Sequence, residues 1–585
     1  MSRGVPFAAN PLLAVKLPAY RSRLLMLLMA IAFLALAGRA VYLQVWSNDF
    51  LQKQGESRYG RTIVLPASRG KVLDRNGVVL ASSVPARAIW AQSEDFKAAT
   101  PKQVAELAAL LGMPEREIRR RTADETKTFV YLKRQVETAQ AEKIDALGIP
   151  GVHMLKEYKR YYPEGEVLAH VVGFTNVEDV GQEGIELSHE KLLAGQLGSR
   201  RVIRDRLGRT IEDVGAIREP RDGQDLRLSI DAKVQYHAFS ALKAAIDEHR
   251  AKAGAVVVLD ARTGEVLALA NHPTYDPNQR GQLSGAQLRN RVMTDTFEPG
   301  STMKPFTTAL ALELGKFTPH TVINTAPGRM TIGPSTIGDA HAYGALTVEQ
   351  VLQKSSNVGT AKMALSMPPQ RMWEMFQSVG FGQAPQLGFP GAVAGRVRPH
   401  KSWKPIEQAT MSYGHGISVS LVQMARAYLI FAREGDTVPL SMLRVEDPPA
   451  PVQVVSPKTA RAVRKMLEMA AGPEGTAPKA QVPGYRVAGK TGTAYKLEGG
   501  RYVRKYIASF VGFAPVSDPR LVVAVMIDEP SAGSHYGGQV AAPVFSRVVG
   551  DALRALRVAP DAPMSALVIP ADPLPEAEPK MESPS

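Results

Sequence analysis

The longest unbroken hydrophobic stretch lies near the start. Residues 24–45, LLMLLMAIAFLALAGRAVYLQV, are apolar apart from Arg39 and Gln44, long enough for a helix to cross a hydrocarbon layer of roughly 30 Å. Beyond it the pattern shortens. Residues 61–65 and 78–80 read as short strands, and 101–111 and 139–147 carry the spacing of helices. The polar, turn-rich segment EPRDGQ at 219–224 interrupts this mixed region. LRLSID then starts a strand, a helix follows through Ala251, and AVVVLDARTGEVLALA predicts two strands joined at Arg262-Thr263-Gly264. Helical and strand patterns continue to about Leu556, whereas the proline- and acid-rich end has no periodicity and is expected to be disordered. The pattern divides the chain into a tail (1–23), a membrane helix (24–45), a mixed α/β region (46–220), a main domain (221–556) and a disordered end (557–585).

Composition narrows the chemistry. The 585 residues are enough for about three domains, and 45% apolar with 22% charged residues is ordinary for globular chains. There is no cysteine, which excludes disulfides, thiol catalysis and cysteine-ligated metal. Histidines are few and scattered, without metal-ligand spacing, so neither a metal nor a cofactor is expected. The net charge of +15 would suit an acidic polymer or anionic lipid; with no nucleic-acid motif beside it, nucleic acid is not an expected partner. Arg3, Lys16, Arg21 and Arg23 precede the apolar run without any acid. The positive-inside rule therefore keeps residues 1–23 in the cytoplasm and puts everything after about residue 46 outside. A cleaved signal peptide with Ala35-Leu36-Ala37 as its processing site is the competing reading. Arg39 is expected to snorkel to the headgroups.

Three short motifs follow one another: Ser301-Thr302-Met303-Lys304, Ser355-Ser356-Asn357 and Lys490-Thr491-Gly492-Thr493. Each alone is weak, since average composition gives about two S-x-x-K matches in a chain this long by chance, and Ser188-His189-Glu190-Lys191 reads as one on a solvated helical face. Context separates them. Pro299-Gly300 makes a turn ahead of STMKPFTTALALEL, which predicts Ser301 at a helix start with Lys304 one turn away on the same face. Serine needs a base to become nucleophilic, and a lysine with its ordinary pKa of about 10.4 is protonated at neutral pH. Bringing it near neutrality amounts to roughly 4 kcal/mol, which calls for burial and a second cation. Lys490 is the natural one. Its motif lies in RVAGKTGTAYK ahead of a Leu497-Glu498-Gly499-Gly500 turn, as in a β-hairpin. Thr491, Thr493 and Lys490 would grip a substrate carboxylate, the amides of Thr493 and Ser301 would form an oxyanion hole, and Ser355 and Asn357 would close the other side.

A nucleotide-binding reading competes for the same residues. GYRVAGKT, 484–491, satisfies the P-loop pattern, and LVVAVMIDEP, 521–530, looks like a magnesium-binding strand. A P-loop needs a helix beginning at its lysine, whereas Gly492 and β-formers follow Lys490.

The S-x-x-K, S-x-N and K-T-G set resembles that of penicillin-binding proteins and class A β-lactamases. Ser68-Arg69-Gly70, Asp74-Arg75-Asn76-Gly77, Arg160-Tyr161-Tyr162-Pro163, Ala169-His170 and Gly181-Gln182-Glu183-Gly184-Ile185-Glu186 resemble the pedestal of class B penicillin-binding proteins. Tyr413-Gly414-His415-Gly416, Tyr536-Gly537-Gly538 and Ala542-Pro543-Val544-Phe545 are most similar to the division-specific branch. The resemblance implies an α+β fold: a transpeptidase domain with an antiparallel sheet flanked by helices, preceded by an elongated mixed α/β dimerisation-type pedestal and one transmembrane helix. It implies a serine-type D-Ala-D-Ala transpeptidase without a glycosyltransferase domain, anchored in the inner membrane and facing the periplasm, that cross-links stem peptides during septal wall synthesis. Ser301 would attack the donor stem peptide with Lys304 as base. Ser355 and Lys490 would relay protons and Asn357 would position the donor amide, while Thr491, Gly492 and Thr493 would bind substrate and oxyanion. An amine acceptor, β-lactams, a membrane glycan polymerase of the FtsW type and other division proteins are the implied partners. Arg69, Asp74, Arg160 and Glu186 are expected to be structural, and His415 to pack or hydrogen-bond rather than to act as acid or base. An elongation-specific class B enzyme is the alternative within the family. A serine β-lactamase or D,D-carboxypeptidase would share the dyad but send the acyl group to water, and a non-catalytic β-lactam receptor would lack turnover.

Overall fold

The computed structural model describes residues 18–46, 60–124, 127–204, 210–281 and 283–564. Arg3, Lys16 and the end of the chain from 565 on, where the cytoplasmic tail and disordered terminus are expected, lie outside these residues. An α-helix, Ala19–Val41, runs into a π-turn, Tyr42–Trp46, and none of the helix's residues is buried. It is long and apolar enough to cross a membrane once. The Arg39 guanidinium sits over the Tyr42 ring, 5.3 Å from its centre.

The chain falls into two compact units, one of residues up to Ala67, this helix included, with Gln196–Arg221, the other of Ser68–Gly195 with Asp222 onward. In the first, the segment expected to be a strand at 61–65 is one, Gly60–Leu65, and it pairs antiparallel with Gly198–Arg204, which pairs with Thr210–Arg218.

In the second unit the long strand Val79–Ala91 pairs with Val130–Glu137 on one side and Val152–Tyr161 on the other. Helices Pro101–Leu111 and Thr138–Asp145 lie where their periodicity places them and bury Leu107, Leu111, Ala141 and Ile144 in one small core with Ile89 and Leu132. Leu226–Arg227, just past the turn-rich segment at 219–224, runs parallel to Val72–Leu73 and so extends this pedestal sheet. Two buried arginines brace it. Glu186 takes Arg69 Nε on one carboxylate oxygen at 2.5 Å and Arg160 Nε on the other at 2.7 Å, and Arg160 Nη2 also donates to Gly70 O. Asp74 accepts the amides of Asn76 and Val78 and closes the turn before Val79. These are the ion-pair and turn roles that burial demands of such side chains.

The larger sheet has five strands: β1 (Ala253–Asp260), β2 (Val266–His272), β3 (Ala488–Glu498), β4 (Arg501–Ala514) and β5 (Leu521–Asp528), ordered β2-β1-β5-β4-β3 and antiparallel throughout. Successive side chains of a strand face opposite sides. Val256 and Val258 pack with Phe239 and Leu242 of α1 (Ala232–His249), whereas Ala255, Val257 and Leu259 belong to the core on the other face. Both faces are covered, which is why β1 reads as a continuous apolar run rather than an alternation. The second face carries α2 (Lys304–Glu313), α3 (Leu421–Ala432) and α4 (Pro457–Ala471). Every residue of α2 from Lys304 to Ala311 is buried, and Phe306 meets Phe381, Tyr428 and Phe431 ring to ring. A helix enclosed on all sides holds its first turn rigidly against the sheet.

Candidate active site

Ser301 lies on a 3₁₀ turn, Gly300–Met303, and the α-helix proper begins at Lys304. Pro305 explains the late start, because its ring is tolerated only in a helix's first turn. Gly300 has φ of +57°, which suits glycine, and Tyr428 donates its hydroxyl to Thr302 O at 2.8 Å. Lys304 is completely buried. Its Nζ donates to Ser355 O at 2.5 Å and to Ser355 Oγ at 2.9 Å, which joins the first motif to the second. Ser355 sits in the left-handed region at φ +60°, a strained conformation for serine. Its neighbours hold it there. Ser356 caps the helix Asn357–Leu365 by accepting from Gly359 N and donates to Asp339 Oδ2 at 2.6 Å, while Asp339 Oδ1 accepts the amides of Asn357 and Val358. Asn357 Nδ2 donates to Gly338 O.

The third motif lies on β3, one of the two edge strands of the sheet. It is followed by a hairpin into β4 with Gly499-Gly500 in the turn, as its composition predicts. Lys490 is fully buried, with Nζ 3.3 Å from Thr491 Oγ1 and 3.4 Å from Thr476 Oγ1. Thr493 Oγ1 accepts from Gly537 N at 3.0 Å. No helix begins at Lys490, and Asp528 and Glu529 are paired with Lys496, so the phosphate-loop reading has no structural basis. The Ser188 copy is exposed, its hydroxyl 2.9 Å from His189 Nδ1.

Glycines let these segments meet backbone to backbone. A Cβ on Gly492 would come 2.7 Å from Pro299 O and 2.5 Å from Ser509 Oγ; one on Gly414 would come 2.2 Å from Gly300 O; one on Gly537 would come 2.5 Å from Gly492 O. A Cβ on Gly300 would touch Thr493 O at 3.3 Å and Thr493 N at 3.6 Å. The turn that carries Ser301 is thus pressed between β3 and the Tyr413-Gly414-His415-Gly416 segment. Hydrogen bonds join Lys304 to Ser355, and close backbone approach brings the serine turn against Gly492 and Thr493 of β3.

Three contributors carry no signal of their own in the sequence. Asp339 anchors the second motif, Thr476 pairs with Thr491 Oγ1 at 3.0 Å, and Glu298 stands in the FEPG stretch just before the serine turn. Glu298 accepts Gly416 N at 2.9 Å and the Tyr502 hydroxyl at 3.1 Å. Burial lifts its carboxyl above the usual range. His415 Nδ1 is 3.6 Å from Glu298 Oε2, and burial pushes its pKa down to about 4. A neutral imidazole at pH 7 suits packing and hydrogen bonding, not proton donation.

Two family models match successive stretches of the chain, divided differently from the two compact units. The family model for the penicillin-binding protein dimerisation domain matches residues 64–228 and that for the penicillin-binding protein transpeptidase domain matches 254–550. The chain is 43% identical over 553 residues to a protein of Neisseria gonorrhoeae described as the probable peptidoglycan D,D-transpeptidase PenA, covering 94% of this chain and 95% of that one. It is 43% identical over 543 residues to the peptidoglycan D,D-transpeptidase FtsI of Escherichia coli, covering 92% and 91%. Among solved structures, the apo transpeptidase domain of Burkholderia pseudomallei penicillin-binding protein 3 aligns with TM-score 0.54 at 54% identity, over 57% of this chain and 98% of that one. A peptidoglycan synthetase of Bifidobacterium adolescentis aligns with TM-score 0.69 at 25% identity, over 89% and 100%. The chain belongs to the class B penicillin-binding proteins, the family of the peptidoglycan D,D-transpeptidases FtsI and PenA.

Proposed function

We propose that the chain cross-links peptidoglycan stem peptides at the division septum through an acyl-enzyme on Ser301. The observation that carries this reading is the link between buried Lys304 and Ser355 one turn away from Ser301. An amine taken out of water favours its neutral form, the form a general base needs. Lys304 takes the hydroxyl proton as Ser301 Oγ bonds to the carbonyl carbon between the terminal D-alanines. The C–N bond breaks, the proton passes to the leaving D-alanine, and Ser355 and Lys490 relay it. The amides of Ser301 and Thr493 stabilise the oxyanion, Asn357 positions the donor amide, and Thr491 and Thr493 hold the donor's carboxylate, with Gly492 leaving room for the serine turn. An acceptor amine then displaces Ser301. A β-lactam mimics the donor and acylates the same serine.

The basic residues before the apolar helix support an N-terminus in the cytoplasm, one pass through the inner membrane and a periplasmic bulk. The septal role rests on the likeness to FtsI. An FtsW-type glycan polymerase and other division proteins are the partners that role would require. Depletion of the protein tests it: cells should elongate without septa, whereas rounding with continued septation would assign the chain to lateral wall growth. Product analysis with a stem-peptide donor and acceptor tests the chemistry. Dimeric cross-linked product is expected, and release of D-alanine with only trimmed monomer would make the chain a carboxypeptidase.

A further inference from the structure

Composition predicts disorder from residue 557 on, yet the chain just past its last helix, α5 (Ala542–Ala555), is held against the segment that leads into β3. Tyr485 donates its hydroxyl to Val558 O at 2.7 Å, and the amides of Asp561 and Ala562 both donate to Gly484 O at 3.1 Å. Asp561 also binds through its side chain: Oδ1 accepts Arg486 N at 2.7 Å and Oδ2 accepts Ser517 N at 3.1 Å. Residues 558–562 thus form a strap across the lead-in to the strand that carries Lys490.

The last pair of the β3–β4 ladder is Ala488 with Phe513. Beyond it Val516 N still donates to Arg486 O at 3.1 Å, and the Asp561 carboxylate then takes one amide from each side, Arg486 and Ser517. It serves as an added rung where the ladder ends. An ionised carboxylate accepts such amides more strongly than a neutral carbonyl does. As an edge strand β3 has a partner strand on one side only, so a lost rung is not made good from the other. Close packing contributes less here, because a cavity of about 290 Å³ lies beside the strap, lined by Gly472, Val482, Gly484, Arg486 and Ala562 among others. The Arg486 side chain is tied to Glu468 of α4 by two hydrogen bonds, at 2.6 and 2.8 Å.

We propose that Asp561 is a positioning residue for the third motif, holding the start of β3 so that Lys490, Thr491 and Thr493 stand correctly against the serine turn. This rests on the acyl-Ser301 reading above and names what fixes one side of that site. The chain from Thr476 to Lys490 is a loop whose ends meet, with Lys490 Nζ 3.4 Å from Thr476 Oγ1, and the strap grips this loop at Gly484, Tyr485 and Arg486. Arg486 precedes Lys490 by four residues, about 13 Å along an extended chain. A shift at Arg486 is therefore passed along the strand to Gly492 and Thr493, where β3 meets the serine turn. Misplacing a reacting group by about 1 Å costs on the order of 10²-fold in rate. Asp561 acts through β3 and not on the substrate.

The test uses the full-length protein in detergent and two readouts: the second-order rate of penicillin acylation per folded molecule, and amide hydrogen exchange followed peptide by peptide. Asp561→Asn keeps the shape but turns one acceptor into a donor that faces an amide N–H. Acylation should slow about tenfold or more, and exchange should quicken in residues 486–493 but not in β1. Asp561→Glu, which keeps both acceptors, should recover much of the rate. Val234→Ala truncates a buried side chain of α1; it should lower stability yet leave the rate and the exchange of 486–493 unchanged. Should Asp561→Asn fail to fold, Tyr485→Phe, which removes the bond to Val558 O, is expected to slow acylation about threefold in its place. A wild-type rate in folded Asp561→Asn, or an equal slowing in Val234→Ala, would overturn the assignment. No adduct on wild-type Ser301 would instead overturn the acyl-enzyme reading beneath it; quickened exchange of 486–493 in Asp561→Asn would then still support the strap's hold on β3, and unchanged exchange would overturn it.

Discussion

Lys304 and Ser355, far apart in the chain, are joined by two hydrogen bonds, at 2.5 Å to the serine carbonyl and 2.9 Å to its hydroxyl. A fully buried amine is thereby held at a fixed place one turn from Ser301, and the serine that receives it keeps a left-handed backbone to do so.

Removing the amine should stop acylation. Lys304→Ala is expected to lower the second-order rate of penicillin acylation by about 10²–10⁴-fold. Lys304→Arg should do no better, because a guanidinium does not deprotonate in proteins. Stopped-flow acylation kinetics check both, and an arginine variant with near wild-type rate would exclude lysine as the base.

Gly414 has φ of +91° and no room for a methyl group, since its Cβ would stand 2.2 Å from Gly300 O. Gly414→Ala should destabilise the domain by about 1–3 kcal/mol and slow acylation about tenfold or more by displacing the serine turn. Gly285, which has nothing within 4 Å of the same position, serves as control: Gly285→Ala should stay within about 0.5 kcal/mol. Thermal unfolding alongside acylation rates distinguishes the two.

The pedestal offers a stability prediction separate from the chemistry. Glu186→Gln leaves Arg69 and Arg160 buried without the shared carboxylate, a loss expected to cost about 3–5 kcal/mol. Denaturant unfolding should show it, while the fraction of folded protein that penicillin acylates stays unchanged.

Much of this arrangement is legible locally. The i, i+3 spacing of Ser301 and Lys304, the Gly499-Gly500 turn and the doubly buried β1 all follow from short-range pattern. The 3₁₀ start does not, because Pro305 moves the first α-helical residue to Lys304. Asp339 and Glu298 are also invisible beforehand: each acts by accepting hydrogen bonds from segments that only the folded chain brings near, and a lone acid in a polar stretch has no periodicity to betray it. The strand Leu226–Arg227 joins the pedestal because parallel pairing with Val72–Leu73 depends on tertiary contact rather than on its own residues.

His170 supplies a pH dependence. Burial lowers its pKa to about 4, and its Nε2 lies 2.7 Å from Gln287 O, to which the neutral ring donates. The unfolded chain binds the proton below about 6.5 while the folded one resists until about 4. Stability is therefore full above pH 6.5 and declines as pH falls toward 4, by on the order of 3 kcal/mol at most. Unfolding curves between pH 7.5 and 4 should show this decline, and His170→Gln, less stable at pH 7.5, should lose less on acidification. Parallel curves would contradict it.

The most direct test is peptide-level mass spectrometry of the full-length protein after exposure to a penicillin, beside Ser301→Ala. A long-lived adduct of the intact drug mass on the Ser301 peptide, absent from the variant, is the predicted result. A folded protein that leaves the drug intact and carries no adduct, or that destroys it without a trapped acyl-enzyme, would contradict the assignment of Ser301 as the transpeptidase nucleophile.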